Sequence, residues 1–509
     1  MSKSFRISVV FAGLIAMVLG VSQVAFAGGM ATQTSEPAAS NPETSKSAGS
    51  QTKSKKKKKK KKKAGVTNLV VLGTYSPQTS VSEPISVTTM AAPEAVTVAP
   101  QPAARSVLRS ERVPGVHILP TDIPEPFVTA TNGQLVISEF RVRGANGLLD
   151  EFIEIFNNSG ADHTVDAISG SGYGIAASDG VTRCSIPNGT VIPNRGHYLC
   201  VNSVGYSLAS YPAGNGTTAT GDATYTTDIP DNAGIALFNN NTGGASYSLA
   251  NRLDAVGSTS EANTLYKEGT GYPALTPFSI DYSFYRDNCG KAGSITTFGQ
   301  CPTAGNLVDT NSNAADFVFV DTNGTSAGAG QRLGAPGPEN LSSPIERNAS
   351  LSGTLLDTCV GGASPPNRVR DFTSDPANNS TFGTLDIRRT ITNNTGGNVT
   401  RLRFRVIDIT TFPAPSGIAD LRPRTSTAVV VTVDRPPCGS GTSNVTVQGT
   451  TLEQPPSQPN GGGFNSSMSA GTVTLGTPLA NGATIDMRFL LGIQQTGSFK
   501  FYLNIEALP

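Results

Sequence analysis

The clearest pattern in the chain is an alternation of apolar and polar residues with a period of two. Leu402, Phe404 and Val406 share one parity, and Arg401, Arg403 and Arg405 the other. Ile485, Met487, Phe489 and Leu491 alternate with Asp486 and Arg488. Phe499, Phe501, Leu503 and Ile505 alternate with Lys500, Tyr502, Asn504 and Glu506. Successive side chains of a strand point to opposite faces, so this is the period of strands with one apolar face. With Thr384–Ile391, Ala428–Val433, Asn444–Gln448 and Gly471–Leu475, these runs predict about seven strands over residues 345–509, the count of a small immunoglobulin-like sandwich. Upstream, Leu135–Val142 and Glu151–Asn157 read as strands, with Phe152 and Phe156 on one face of the second and Ile153 and Ile155 on the other. Asn157-Asn-Ser-Gly160 is a turn, and Tyr198–Val201 is a further strand.

Composition agrees. The 509 residues include 55 Gly and 34 Pro but no Trp, and only 15% are charged. Helices would use more Ala, Leu, Glu and Lys. The fold class expected is all-β: two immunoglobulin-like β-sandwich domains after a signal peptide and a disordered basic stalk. Lys3 and Arg6, the apolar run Ile7–Val21 and Ala25-Phe26-Ala27 have the form of a secretory signal over residues 1–27. No cysteine follows it directly, which argues against a lipid anchor, and no later run approaches the ~20 apolar residues of a spanning helix. The mature chain is therefore expected to lack a transmembrane helix and to be secreted: extracellular, periplasmic or at the cell surface. Residues 28–132, rich in Lys, Pro, Ser and Thr, hold too few apolar residues for a core and read as the stalk.

One long stretch carries a resemblance. It runs Gly133-Gln-Leu-Val-Ile-Ser-Glu-Phe140, Leu149-Asp-Glu-Phe-Ile-Glu-Ile-Phe-Asn-Asn158, Cys184-Ser-Ile-Pro-Asn-Gly-Thr-Val-Ile-Pro193 and Gly196-His-Tyr-Leu-Cys-Val-Asn202. This resembles the lamin-tail domain in its bacterial secreted type, an immunoglobulin-like β-sandwich. Ala233–Phe238, Asn251–Val256, Asp281–Arg286 and Ala315–Phe319 fit the later strands of that family, and Gly334-Ala-Pro-Gly-Pro338 fits its exit. The resemblance implies a domain over residues 133–338, a linker at 339–344 and the unassigned sandwich at 345–509. It departs from the pattern in lacking the Trp that often follows the second strand, and in longer segments at 203–230 and 257–280. It implies an extracellular binding or anchoring role and leaves the ligand open.

Six cysteines in an exported chain point to disulfides. Taken as sequential pairs they are Cys184–Cys200, Cys289–Cys301 and Cys359–Cys438, although other connectivities remain open. There is no C-x-x-C spacing, so zinc carries little weight. Charge is unevenly spread. Lys53 is followed by Lys55, Lys56, Lys57, Lys58, Lys59, Lys60, Lys61, Lys62 and Lys63, whereas from residue 64 onward 25 basic residues face 35 acidic ones. A basic tail thus precedes an acidic body. Such a run is either a solvated linker or an electrostatic grip on anionic envelope polymers or DNA.

Candidate chemistry is sparse. The three histidines, His117, His163 and His197, show no ligand spacing and read as surface residues. Gly324-Thr-Ser-Ala-Gly328 matches a nucleophile elbow in letters but lacks the strand before it and the helix after it, and every histidine precedes it. Asp309, Asn311 and Asn313 have the alternation of a calcium loop, but Ala314 stands where Gly is wanted and Val320 where a bidentate Glu is needed. Asp150, Glu151 and Glu154 are clustered acids with Glu139 facing them, better suited to structure or cation binding than to paired-carboxylate hydrolysis. Arg388, Arg401, Arg403, Arg405, Arg422 and Arg424 form a possible basic strip, against which stands a solvated sheet face paired to Asp386, Asp408 or Asp486. No catalytic residue and no cofactor is expected. The reading favoured is a secreted, non-catalytic interaction or anchoring protein with unidentified protein partners. The alternative is a binder of extracellular DNA or another polyanion, and an accessory to a secreted hydrolase ranks below both.

Overall fold

The computed structural model describes residues 71–73, 129–276, 280–288, 306–324, 330–347, 349–456, 462–471 and 477–509. They form strands throughout, with short 3-10 turns and one four-residue α-helix at Asn313–Asp316. The all-β expectation holds. The chain divides into two units, Met1–Ala64 and Gly65–Pro509, and both β regions lie in the second.

The N-terminal β region has two sheets. The smaller orders Arg252–Val256, Ile235–Phe238, Gly172–Ala177 and Thr182–Pro187. The larger orders Arg332–Leu333, Phe317–Asp321, Tyr282–Arg286, Leu135–Arg141, Phe152–Asn157, His197–Asn202 and Ala223–Tyr225. Between them lies a core of Leu135, Ile137, Phe140, Ile153, Ile155, Ile175, Leu237, Phe284, Phe317 and their neighbours. Phe140 stacks on Phe284 at 5.4 Å and meets Phe317 edge-on at the same distance. Full burial of each such ring contributes about 1.5–3 kcal/mol. Ile153 and Ile155 face this core while Phe152 joins Leu199, Val201, Leu208 and Tyr211 on the other face, as the alternation requires.

The C-terminal region has a sheet ordered Val71–Gly73, Phe501–Leu508, Arg401–Ile409, Ser467–Ala470 and Thr450–Gln454, with Ile345–Glu346 also paired to Phe501–Leu508. A second sheet runs Leu351–Leu355, Thr384–Asn393, Thr484–Gln495 and Asp420–Arg424, with Arg368–Asp371 also paired to Thr384–Asn393. Leu402, Phe404, Val406, Met487, Phe489, Leu491, Phe501, Leu503 and Ile505 fill the core between them. A separate hairpin joins Val429–Val433 to Ser443–Val447.

Three expectations change. The larger N-terminal sheet is covered on both faces, because Tyr285, Val318 and Val320 join the C-terminal core. Residues 339–344 are not a free linker: Glu339, Asn340 and Ser343 are buried. Within the expected stalk, Val71–Gly73 pairs in parallel with Phe501–Leu503 at a sheet edge, since three backbone residues can add to an exposed strand without a core of their own. The remainder of the stalk lies outside the described residues.

Two of the expected disulfides are present. Cys184–Cys200 spans 6.4 Å between Cα atoms and Cys359–Cys438 spans 5.5 Å, each within one β region. Cys289 and Cys301 lie outside the described residues.

Candidate functional site

A dense group of buried ionisable residues sits where the larger N-terminal sheet meets the C-terminal sheet. Strand pairing places it there. A bulge between Ile137 and Glu139 opposite Phe152–Asn157 shifts the alternation, so Ile137 and Phe140 both face the core while Ser138 and Glu139 both face the seam. A bulge spends one extra residue to re-aim its neighbours. Glu154 stands opposite Glu139, as expected from the sequence. From the other side come Arg403 and Arg405, then Glu506, on paired strands. Glu339 enters from the connection, and His197 from its own strand.

Ion pairs and hydrogen bonds tie these groups together, while His197 Nδ1, Arg403 Nε, Arg405 Nη2 and Glu506 Oε2 are buried without a hydrogen bond among the described residues. Arg403 Nη1 lies 3.0 Å from Glu339 Oε1, and Arg405 Nη2 lies 3.1 Å from Glu339 Oε2. Arg405 Nε donates to Glu506 Oε1 at 2.7 Å. Glu139 accepts from the Gly337 amide and from Asn465 Nδ2, both at 2.9 Å. Glu154 accepts from the Ser138 hydroxyl at 2.5 Å and the Glu339 amide at 2.6 Å. Gly337 must be glycine here, since a Cβ would run into Arg405 Nη1 and Asn465. The segment 203–230 helps close the seam: the Pro212 carbonyl accepts from Gln454 Nε2 at 2.8 Å.

The charges do not balance: Glu139, Glu154, Glu339 and Glu506 face Arg403 and Arg405. Burial raises Glu139 against the bonds from Gly337 and Asn465 and the charge of Arg405. Burial, then the charges of Glu139 and Glu339, lifts Glu154 well above the carboxylate range. Burial also raises Glu506. Arg405 loses by burial but is raised overall by Glu339 and Glu506. Burial holds His197 neutral, down to about 3, with Nε2 3.2 Å from Glu339. Burial and mutual repulsion thus both favour the protonated form of these carboxyls. The cavity among these groups is about 50 Å³, against roughly 300–1,000 Å³ for a ligand pocket.

A second group centres on Arg286, wholly buried in the N-terminal region. Its guanidinium reaches Asp254 at 2.7 Å, Asp309 at 3.3 Å and Asp316 at 3.4 Å, and lies over the Phe317 ring. Asp254, Glu268 and Asp309 each bring an oxygen within 4.8 Å of the others. Burial and the Asp254 charge push Glu268 up to about 9. A cation at these three oxygens would have to share Asp254 and Asp309 with the Arg286 guanidinium.

The remaining candidates disperse. The expected calcium alternation of Asp309, Asn311 and Asn313 does not converge. Asp309 turns to Arg286, Asn311 sits at φ 55° in an Asx turn on Asp309, and Asn313 is a buried brace. Asn313 Oδ1 accepts from the Gly257 and Glu268 amides, and its Nδ2 donates to Ala255. Asp150 pairs with buried Arg141 and takes the Ser207 hydroxyl at 2.7 Å. Glu151 accepts from the Ile229 amide and Asn202, and burial lifts it to about 8. Each of these acids has its own partners, so they do not meet around a common point.

His163 and His197 are buried, correcting the surface reading; His197 has the parity of Leu199 and Val201, the face turned away from the core of Tyr198 and Cys200, and it is buried because the seam covers that face. His163 Nε2 is 3.1 Å from the Tyr173 hydroxyl. His117, Lys53, Lys55–Lys63 and residues 325–329 lie outside the described residues.

The basic strip does not exist as a strip. Arg403 is 0% exposed and Arg405 is buried against the seam. Arg422 pairs with Asp420 at 2.7 Å, Arg388 with Asp386 at 2.8 Å, and Arg424 with Asp375 at 3.6 Å. Arg401 is half-buried beside Gly216. The polar face of strand Arg401–Ile409 meets the other β region instead of water, which a strand pattern alone does not reveal. One signal was in the sequence: arginine rather than lysine in that row, the residue suited to buried bidentate pairs.

The chain matches no family model, no curated protein and no solved structure.

Proposed function

We propose that this is an extracellular interaction protein, held by its basic N-terminal segment to an anionic surface and presenting a rigid β body. The observation that carries the reading is how the body uses its charges. Its buried acids, both described histidines and Arg403 and Arg405 are committed to holding strands and β regions together. A binding protein needs a stable body with a surface, and that is what such commitments provide. The two disulfides fit an oxidising compartment. Among the described residues no helix is long and apolar enough to cross a membrane. The motifs over 133–338 support a lamin-tail kinship for the first β region.

A second reading, binding of DNA or another polyanion, is favoured by Lys53 and Lys55–Lys63 set against an acidic remainder. On duplex DNA such a tail acts as point charges, and log affinity falls with log salt at a slope near −0.9 per phosphate neutralised. The test compares the mature chain with one starting at residue 64 on heparin, duplex DNA and anionic vesicles. Tail-dependent, salt-sensitive binding to all three fits a general electrostatic grip. Equal binding by both chains would reduce the run to a linker. Turnover of nucleic acid, phosphoester, peptide or polysaccharide that vanishes in Glu154→Gln or Glu139→Gln would replace the non-catalytic reading with an enzymatic one.

A further inference from the structure

Arg368 and Arg389 are set apart from the arginines described above. Neither forms an ion pair among the described residues, and no acidic group offsets the charge of either. Register puts them together. Arg368 stands opposite Ile387 and Arg389 opposite Leu355, on the same central strand Thr384–Asn393. Ile387 and Arg389 are two apart and share a face, so Arg368 and Arg389 share it too. They are diagonal neighbours across an antiparallel pair, about 7–8 Å apart at the backbone.

The position is a gap in the sheet. Strand Leu351–Leu355 gives out opposite Arg389, and strand Arg368–Asp371 takes over opposite Ile387. At the step the Asn367 carbonyl accepts from the Arg388 amide at 2.9 Å. Arg389 Nη1 donates to the Arg388 carbonyl at 2.7 Å and towards that of Asn367 at 3.4 Å, and Arg368 Nε donates to the Ala363 carbonyl at 3.2 Å. These neutral acceptors leave both charges uncancelled. Arg368 Nη1 is buried with no acceptor among the described residues. The nearby carboxylate of Asp357 is spent on the Cys359 and Asp434 amides. Burial, then the Arg368 charge, pulls Arg389 down to about 10. Further along the same edge Phe372 is 79% exposed beneath the Arg370 guanidinium, and Phe382 is exposed as well.

We propose that Arg368 and Arg389 form a binding site for a tetrahedral oxyanion, the sulfate or phosphate monoester group of a small molecule, for which glucosamine esters serve as probes. A tetrahedral oxyanion offers acceptors to both forks at once and supplies the missing negative charge. The site is independent of the lysine run and of the role proposed for it.

Thermal unfolding of the full chain would be followed in rising glucosamine monosulfate, glucosamine monophosphate or unsubstituted glucosamine at constant ionic strength. The proposal expects a saturable rise in Tm with at least one ester and none with the free sugar. The more effective ester identifies the source. In Arg368→Gln the midpoint concentration moves up at least tenfold, and in the double variant with Arg389→Gln the saturable rise disappears. Arg388→Gln, on the opposite face, keeps it. A chain lacking residues 53–63 keeps it as well. If Arg389→Gln does not fold, Arg368→Gln alone decides. No saturable rise with either ester, a rise unchanged in Arg368→Gln, or a rise that disappears with the lysine run would each overturn the proposal.

Discussion

Two pairs of arginines in the C-terminal region make opposite use of the same side chain. Arg403 and Arg405 lie buried between the β regions with an excess of carboxyls around them. Arg368 and Arg389 lie half-buried at a sheet step with no carboxylate beside them. The first pair joins two β regions, and the second carries charge that no carboxylate cancels among the described residues. Burial of a guanidinium is therefore not informative by itself. What the surrounding groups contribute in charge decides whether it serves the fold or a ligand.

The largest effect is expected from breaking the seam. Arg405→Met takes from Glu506 its partner at 2.7 Å and leaves Glu339, which it met at 3.1 Å, with Arg403 as its one arginine. Removing one partner of a buried pair costs about 3–5 kcal/mol. Arg389→Met removes an unmatched charge, and urea unfolding should show it no less stable than the parent. If both substitutions cost the same, the contrast between the pairs is wrong.

The next effect is on pH dependence. Glu151 is lifted from 4.5 to about 8, and Glu139, Glu154 and Glu506 are raised from the same value. A carboxyl whose folded value lies above its unfolded value binds its proton more tightly when folded. Its contribution is complete below the unfolded value, falls as pH rises and is lost beyond the folded value. For Glu151 that window runs from 4.5 to about 8. His197, lowered from 6.5 to about 3, works the other way: its contribution is present above 6.5 and is lost as pH falls towards 3. Glu151→Gln should flatten the decline of stability between pH 5 and 8, by about the slope of one proton. An unchanged slope would place the titrating proton elsewhere.

The smallest effect is expected at the ion pair Arg388–Asp386, which is partly open to water and shares Asp386 with Arg488. Arg388→Gln should cost no more than about 1 kcal/mol. A loss comparable to that of Arg405→Met would mean that position in the seam is not what makes the difference.

Much of the fold could be read from residue pattern. The faces of Phe152–Asn157 followed from alternation, as did the apolar faces of Arg401–Ile409, Thr484–Gln495 and Phe501–Leu508. Sequential order was enough to pair Cys184 with Cys200 and Cys359 with Cys438. The facing of Glu139 and Glu154 depends on the bulge between Ile137 and Glu139, because regular alternation would set Ser138 opposite Glu154. What lay beyond reach depends on contacts between distant strands. Nothing in Arg403-Phe404-Arg405 states that the polar face meets Glu339, some sixty residues earlier, rather than solvent. A two-residue period distinguishes apolar from polar faces, but it cannot tell a wet polar face from one covered by another sheet. The step opposite Arg388 was equally hidden, because two strands separated by a loop share one neighbour. His197 was misplaced because a lone histidine gives no sign of what packs over it.

The account as a whole rests on a protein held outside the cytoplasm by charge. The most direct measurement is fractionation of native host cells carrying either the full chain or one lacking residues 53–63. The account predicts that the full chain is found with the cell envelope, is released by washing in high salt and is not dependent on detergent for release. The shortened chain should appear in the medium at every salt concentration. Recovery of the full chain in the cytoplasm, or retention of both chains through the salt wash, would contradict it.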